Sequence, residues 1–596
     1  MPQTSPRPID LGVIAPGLGD TCDDYVRSYR HDLEKAVAAG EGGVAVSRRF
    51  ARSLDGLLSA LSCAANAAAD SRSMAPSRVA LVAVGGYGRG LVGLHSDIDV
   101  LFLCEDPDDP NLRGYAEGLL YPLWDLGLSI GHAVRGVQET LALAREDIST
   151  ATTLLDLRCV SGDRKLVEEL KAAAFEHVFQ PSSTDFIAAL AADTRARHRR
   201  YGSSVFLLEP EVKLGRGGLR DLDVTEWIAK ARWGGAGLDS YVRSGALLQR
   251  EAEQLESARE FLWRVRNFLH LRNSRRHDRL TFAAQEDVAE QLGFVDGITL
   301  GVEQFMQAYY RHGRVVAQTM DRMFERSVPF RRGAIDCQAM GDGTLLFGNH
   351  VTLEDSNAVS REPILAMRLY QRVLAHGRAP HRYARDSVAQ AADDPDWCER
   401  LREDEEARRI FRRLLSCVPK LPVREQSMLF ELHDVGLLLA MVPEFGPLTG
   451  RVQYDDYHVY TTDIHAVRAV DELRSLIAGD RKRDLPIACR LAAEAPRKDP
   501  LFLAALLHDI GTARGVGPSH RTRGAESTLE IAERLGISKV DGTEAAWLVR
   551  QNLDLFHWAM RRDTTDPEVM AAIAKEVGTE DRLRALLLFT VAVVAS

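Results

Sequence analysis

Two carboxylates stand two residues apart in Ser96-Asp97-Ile98-Asp99-Val100. On a strand, residues i and i+2 leave from the same face. Asp97 and Asp99 should therefore project together, while Ile98 and Val100 turn to a core. A carboxylate pair on one rigid strand suits Mg²⁺ (or Mn²⁺), which takes carboxylates together with substrate phosphates. Two such ions can activate an attacking oxygen and steady a departing pyrophosphate. Just upstream, Gly85-Gly86-Tyr-Gly-Arg89 supplies what a phosphate site needs. Glycines let backbone amides approach a triphosphate. Arg89 can neutralise phosphate charge, and Ser96 can donate a hydroxyl hydrogen bond. The common glycine-loop signatures do not apply. A Walker A loop would close in Gly-Lys-Ser/Thr, and a dinucleotide fingerprint begun by Gly86 and Gly88 would need glycine where Leu91 stands.

Elements to hold these residues can be read on either side. Arg78–Val84 is a short β-branched apolar run stopped by two glycines, and Ile98–Cys104 is a second. The spacing predicts a helix over 113–127 and a third strand over Leu128–Val134. That third strand carries no acid to complete the carboxylate pair; its polar candidates are His132 and Arg135. Helices are expected at Tyr25–Ala39 and Arg48–Ala69, with a loop over Ser71–Ser77. Further on, Arg259–Leu271 and Val302–Arg326 have helical periodicity. Ahead of them lies the glycine-rich loop Lys213-Leu-Gly-Arg-Gly-Gly-Leu-Arg220, whose Lys213 and Arg220 can close over a nucleotide.

With roughly 100–200 residues per domain, 596 residues imply about three to five domains. The expected division is a helical segment 1–75, a small mixed α/β unit 76–180, a helical domain 181–330, a mixed linking domain 331–455 and an all-α domain 456–596, in a multidomain α+β chain. Net charge is 75 − 85 = −10, which argues against a nucleic-acid surface. The eight scattered cysteines form no C-x-x-C pair and suit a reducing cytoplasm. No stretch approaches the ~18 apolar residues of a membrane span, and the N-terminus lacks the apolar core of a signal peptide.

A second constellation lies in the last segment. His465 sits in a helix-like run, His508-Asp509 ends an apolar one, and His520 follows 12 residues later. Each alone reads as a helix-end histidine or a capping carboxylate.

The glycine turn with Ser-Asp-x-Asp resembles the nucleotidyltransferase superfamily that includes polymerase beta. The His, His-Asp, His order resembles the HD-domain metal phosphohydrolases, whose imidazoles and carboxylates hold metals that activate water. On that resemblance His465, His508, Asp509 and His520 are the expected metal ligands. Asn552 and Val593 stand where relatives carry His and Asp, which weakens the site. The set Leu120–Arg135, Glu209–Asp221, Phe261–Asn267, Arg279–Phe282, Trp547–Gln551, Arg562-Asp563 and Asp566–Val569 is similar to the bacterial PII-protein uridylyltransferase/uridylyl-removing family, from about residue 25 onward. That resemblance implies transfer of UMP from UTP to a tyrosine of the PII nitrogen-signalling protein. The removal of that UMP by the HD domain is expected to be impaired. The ACT domains that sense glutamine in the family do not follow the HD segment here, so glutamine sensing is not carried over. The apolar run Ala585–Ala595 at the chain's end reads as truncation.

Other classes fit less well. A tRNA CCA-adding enzyme calls for a basic surface. An adenylyltransferase of glutamine synthetase carries two transferase domains, and only one Ser-Asp-x-Asp occurs. A catalytically degenerate signalling scaffold has no reason to keep two like charges on one strand.

Overall fold

A computed structural model describes residues 18–70, 78–297, 299–328, 337–417, 427–451, 460–514, 519–563 and 566–596. The expected Ser71–Ser77 loop lies outside them. The chain divides into two compact units, Met1–Phe330 and Arg331–Ser596. The three N-terminal segments expected from sequence thus gather into one unit, and the last two into the other. Both are predominantly helical with small sheets, and no described helix is long and apolar enough to cross a membrane.

In the first unit, helices α1 (Leu18–Ala38) and α2 (Gly43–Asp70) precede strand β1 (Val79–Ala83). A four-residue helix α3 (Gly85–Gly88) leads to β2 (Ile98–Cys104), then α4 (Pro110–Asp125), β3 (Ile130–Gly136) and β4 (Arg158–Gly162). The sheet order is β3-β2-β1-β4. β1 runs antiparallel to β2 and β4, and β2 runs parallel to β3, with Asp99 opposite Gly131. β1 is central and buried throughout, which its all-apolar Val-Ala-Leu-Val-Ala matches. Ile98, Val100 and Phe102 join Leu54 and Leu58 of α2 and Tyr115 and Leu119 of α4 in one core. Asp99, between them in sequence, is exposed on the opposite side.

Helix α4 begins earlier than its apolar pattern predicts. Asp109 accepts from the Asn111 amide at 2.8 Å and Pro110 takes the first turn, where its missing N–H costs nothing. β3 begins two residues late because Leu128 still closes that helix, its N–H reaching the Leu123 carbonyl at 3.1 Å. β4 carries no clear alternation in Arg-Cys-Val-Ser-Gly and is half-buried at the sheet edge, so its sequence does not announce a strand. Helices Leu219–Trp233, Gln249–Asn273 and Gly301–Ser327 pack on one another, and Gln249–Asn273 packs also on α2.

The second unit opens with an antiparallel sheet of β5 (Cys337–Ala339), β6 (Thr344–Phe347) and β7 (His350–Leu353). Helices follow around a single large apolar core.

α3 is pressed onto the chain beside it. A Cβ on Gly88 would lie 1.8 Å from the Asp156 carbonyl oxygen and 2.9 Å from that of Ala83, both backbone atoms that cannot swing away. Gly88→Ala should therefore cost ~1–3 kcal/mol as overpacking, seen in calorimetry as a lowered Tm.

Candidate functional site

One cleft in the first unit collects all eight residues that the sequence nominated around the carboxylate pair. Gly85, Gly86, Arg89, Ser96, Asp97 and Asp99 line it from the sheet side, and Lys213 and Arg220 from the glycine-rich loop and the helix after it. The residues are brought there by ordinary local rules. Val84 donates its N–H to the Asp99 carbonyl at 3.1 Å, tying the glycine turn to the head of β2. The amides of Gly85 and Gly86 open a helix and so have no helical acceptor. Arg220 N–H donates to the Lys213 carbonyl at 2.8 Å, which draws the two cations into one turn.

The carboxylates differ. Asp97 stands just before β2; its Oδ1 accepts from the Ser129 hydroxyl at 2.8 Å and its Oδ2 from Arg276 at 2.6 Å. Asp99 has no side-chain hydrogen bond among the described residues. Partial desolvation in the cleft, though its side chain stays open to solvent, and then the neighbouring Asp97 charge, raise its pKa above the ordinary carboxylate value, against the pull of Lys213, Arg220 and Arg276. Two glycines leave it room. A Cβ at Gly131 would come within 2.4 Å of Asp99 Oδ1, and one at Gly85 within 3.7 Å of Oδ2. An open carboxylate beside a second one is a donor set that fits a divalent cation.

The cations differ as well. Arg89 pairs with Asp156 and, at 2.8 Å, with Asp223. Asp156 is buried and also accepts from Trp227 Nε1 at 2.8 Å and Lys230 Nζ at 2.7 Å. Arg89 is therefore already met by two carboxylates. Lys213 has no carboxylate partner among the described residues, and burial, aided by Arg266 and Arg220, lowers its pKa to about 8. Arg220 lies over the Trp227 ring, 5.3 Å from its centroid, with only a 3.5 Å contact to Asp223. The spare positive charge of the cleft thus resides mainly on Lys213 and Arg220.

Among the described residues no third carboxylate stands open in this cleft. Asp223 and Glu226 line the cleft, but Asp223 faces Arg89 and Arg220 while Glu226 pairs with Arg259. His132 packs against Trp124 with ring centroids 5.9 Å apart, and neither it nor Arg135 lines the cleft. Sequence reasoning missed Ser129, Gly131, Asp223, Trp227, Trp263, Arg266 and Arg276. For Trp263, Arg266 and Arg276 the signal was the basic and aromatic run from Trp263 to Arg276, which by itself reads as an ordinary helix face; Ser129, Gly131, Asp223 and Trp227 stand in no such run.

In the second unit, His465, His508 and Asp509 come together, buried, with one donor atom from each within 4.8 Å of the others. His465 lies on helix Thr462–Ala478, and His508-Asp509 follow helix Asp499–Leu507. His508 Nδ1 bonds the Ala505 carbonyl at 2.9 Å, which places the proton on Nδ1 and leaves Nε2 as a lone-pair donor. Nε2 makes no hydrogen bond among the described residues and stands 3.2 Å from Asp509 Oδ2. Burial lowers the His508 pKa, but the Asp509 charge outweighs it and the net shift is upward. His520, the first residue of helix His520–Arg534, does not join this group. The Ser596 hydroxyl contacts both His465 Nδ1 and the Val593 carbonyl, so helix Glu580–Ala595 carries Val593 to the His465 side. There it offers only hydrocarbon. Asn552 is buried with its Oδ1 unpartnered among the described residues.

Lys213 yields a signed pH expectation. The folded pKa lies below the ordinary 10.5, so the unfolded chain binds the extra proton and this group adds stability as pH rises between about 8 and 10.5. Anion binding runs the other way. Triphosphate affinity should fall as pH rises through about 8, and Lys213→Gln should weaken it about tenfold at neutral pH and flatten that fall, by titration calorimetry.

Residues 185–324 match the family model described as GlnD PII-uridylyltransferase. The chain is 34% identical over 526 residues to the bifunctional uridylyltransferase/uridylyl-removing enzyme of Rhodospirillum rubrum, covering 86% of this chain and 55% of that protein. It is 32% identical over 525 residues to the protein of the same name from Azospirillum brasilense, with the same coverage. For the Vibrio vulnificus protein the identity is 33%, with 86% and 58% covered. The chain spans about half the length of the curated relatives it matches. Across that matched span, the chain is similar to the PII-uridylyltransferases.

Proposed function

We propose that the first unit is a uridylyltransferase that moves UMP from UTP to a tyrosine of a PII signalling protein and releases pyrophosphate. The observation that carries this is the single cleft in which an open Asp99, its neighbour Asp97 and the unpaired Lys213 face one another. The names of the relatives supply the uridylyl group and the family description supplies PII; the tyrosine acceptor rests on the resemblance described above.

Chemistry of this kind is mostly positioning and charge stabilisation. The phenolic oxygen gives up its proton to solvent and bonds to the α-phosphorus as the bond from that phosphorus to the pyrophosphate bridging oxygen breaks. Lys213 and Arg220 offset the charge that gathers on the departing pyrophosphate. The Gly85 and Gly86 amides and the Ser96 hydroxyl orient the triphosphate. Asp97 and Asp99 would hold Mg²⁺ or Mn²⁺, which when bound supplies charge neutralisation and a more acidic attacking hydroxyl. Asp97 is kept in place by Ser129 and Arg276, and Asp99 by its register beside Gly131.

For the second unit we propose a weakened phosphodiester hydrolase. His465, His508 and Asp509 offer three donors, but at the Asn552 and Val593 positions the chain offers a neutral amide and a hydrocarbon, and lost ligands cost metal affinity.

Incubation with Mg²⁺, α-labelled UTP and PII protein should label PII, and Asp97→Ala/Asp99→Ala should abolish the labelling. Absence of label from the unsubstituted chain with UTP and with other nucleoside triphosphates would remove the proposal. On uridylylated PII, release of UMP should be slow, and Asn552→His with Val593→Asp should speed it by about tenfold or more.

A further inference from the structure

Asp278 is a buried carboxylate beside the cleft that the chemistry above leaves unused. Its Oδ1 accepts from Arg266 Nε at 2.7 Å and from His270 Nε2 at 3.0 Å, and its Oδ2 lies 3.4 Å from Arg266 Nη2. The same Nη2 donates to the Ser96 hydroxyl oxygen at 3.2 Å. Arg266 and His270 sit one turn apart on helix Gln249–Asn273, on the side that faces the Ser96 loop. His270 grips the loop a second time, at the backbone, where the His95 N–H donates to its Nδ1 at 3.3 Å. With Nδ1 accepting, Nε2 must carry the proton that Asp278 receives, so the ring is neutral. Burial keeps it so, pulling the His270 pKa down to about 4. The Asp278 backbone reaches the opposite wall, its carbonyl accepting from Val212 N–H at 2.8 Å, next to Lys213.

Resting on the triphosphate-binding reading of the cleft, we infer that Arg266, His270 and Asp278 are positioning residues that hold the Ser96 hydroxyl against the nucleotide's phosphates. Because Arg266 donates to Ser96 Oγ, the oxygen is occupied as an acceptor and its own hydrogen is directed elsewhere, available to a phosphate oxygen. The fork geometry of the guanidinium is what allows one side chain to bridge Asp278 and Ser96 at once; an ammonium has no such fixed pair of donors. The consequence reaches beyond Ser96. The loop leads directly into Asp97 and Asp99, so helix Gln249–Asn273 sets the position of residues on the sheet, and the phosphate site is not a property of the sheet alone.

The test is a double-substitution cycle on the full chain, read by calorimetric binding of UTP and of inorganic tripolyphosphate in Mg²⁺. Ser96→Ala and Arg266→Ala are each expected to weaken both ligands about tenfold, and the double variant to be within about twofold of the weaker single, since one side chain acts through the other. Loss on tripolyphosphate assigns the effect to the phosphates and not to the base. If Arg266→Ala melts early, Arg266→Lys replaces it: charge is kept and the fork is lost, and the same weakening is expected with the Tm near that of the parent. Unchanged tripolyphosphate binding in both Arg266 variants, or losses that simply multiply in the double variant, would overturn the inference while the nucleotidyltransferase proposal stands. If the unsubstituted chain binds neither ligand, that proposal fails and the inference fails with it.

Discussion

The cleft is organised around the repulsion between two carboxylates on the approach to one strand. Partial desolvation in the cleft raises the Asp99 pKa, and the nearby Asp97 charge adds to the effect. The pair stays together because the strand allows nothing else. Ile98 and Val100 are buried in the core under β2, and a slip of one residue would turn the whole strand inside out. The surrounding charge is then uneven in a useful way. Arg276 and Ser129 settle Asp97, whereas Asp99 is left open, and Lys213 and Arg220 remain under-compensated across the cleft. A site with excess negative charge on one wall and excess positive charge on the other is relieved by a cation and a polyphosphate together.

Much of this was legible in the residues. The i, i+2 spacing of Asp97 and Asp99 carried its own geometry, because period-two alternation leaves little choice about where they point. β2 was found to the residue at both ends, since its apolar run is bounded by the Ser-Asp pair and by Glu105-Asp106. The gathering of Lys213 and Arg220 at the cleft followed from a glycine-rich loop with two cations, although composition did not say which wall it formed. What the residues did not announce were the partners. Arg89 is a plausible phosphate ligand until Asp156 and Asp223, 67 and 134 residues away in sequence, are seen to hold it. Asp278 looks like a loop residue after a basic run, and its link to Ser96 depends on how a helix packs against a loop 170 residues earlier. Long-range pairing of this kind leaves no local pattern.

The second unit makes the same point with histidines. Sequence order placed His465, His508 and Asp509 in one group, and the fold brings their donor atoms within 4.8 Å. His520, whose backbone packs on Gly511, is not among the three whose donor atoms meet. The tautomer of His508 is set by a backbone carbonyl three residues back in the chain, which leaves the other ring nitrogen for coordination. Val593 reaches the same neighbourhood through Ser596 and brings no ligand atom to it. The two units therefore differ in how complete their proposed centres are. The cleft of the first unit gathers the charged residues that the sequence nominated, whereas the histidine centre has three donors and two positions that cannot supply an anionic or imidazole ligand.

The central claim is that Asp97 and Asp99 act together as the cation end of a nucleotide site. Electron paramagnetic resonance of Mn²⁺ in the presence of UTP, on the parent chain and on Asp97→Asn/Asp99→Asn, tests it most directly. The structure predicts tight, UTP-dependent immobilisation of Mn²⁺ by the parent and binding about tenfold weaker or worse in the variant, with helical content unchanged. Equal UTP-dependent Mn²⁺ binding by the two chains would contradict it.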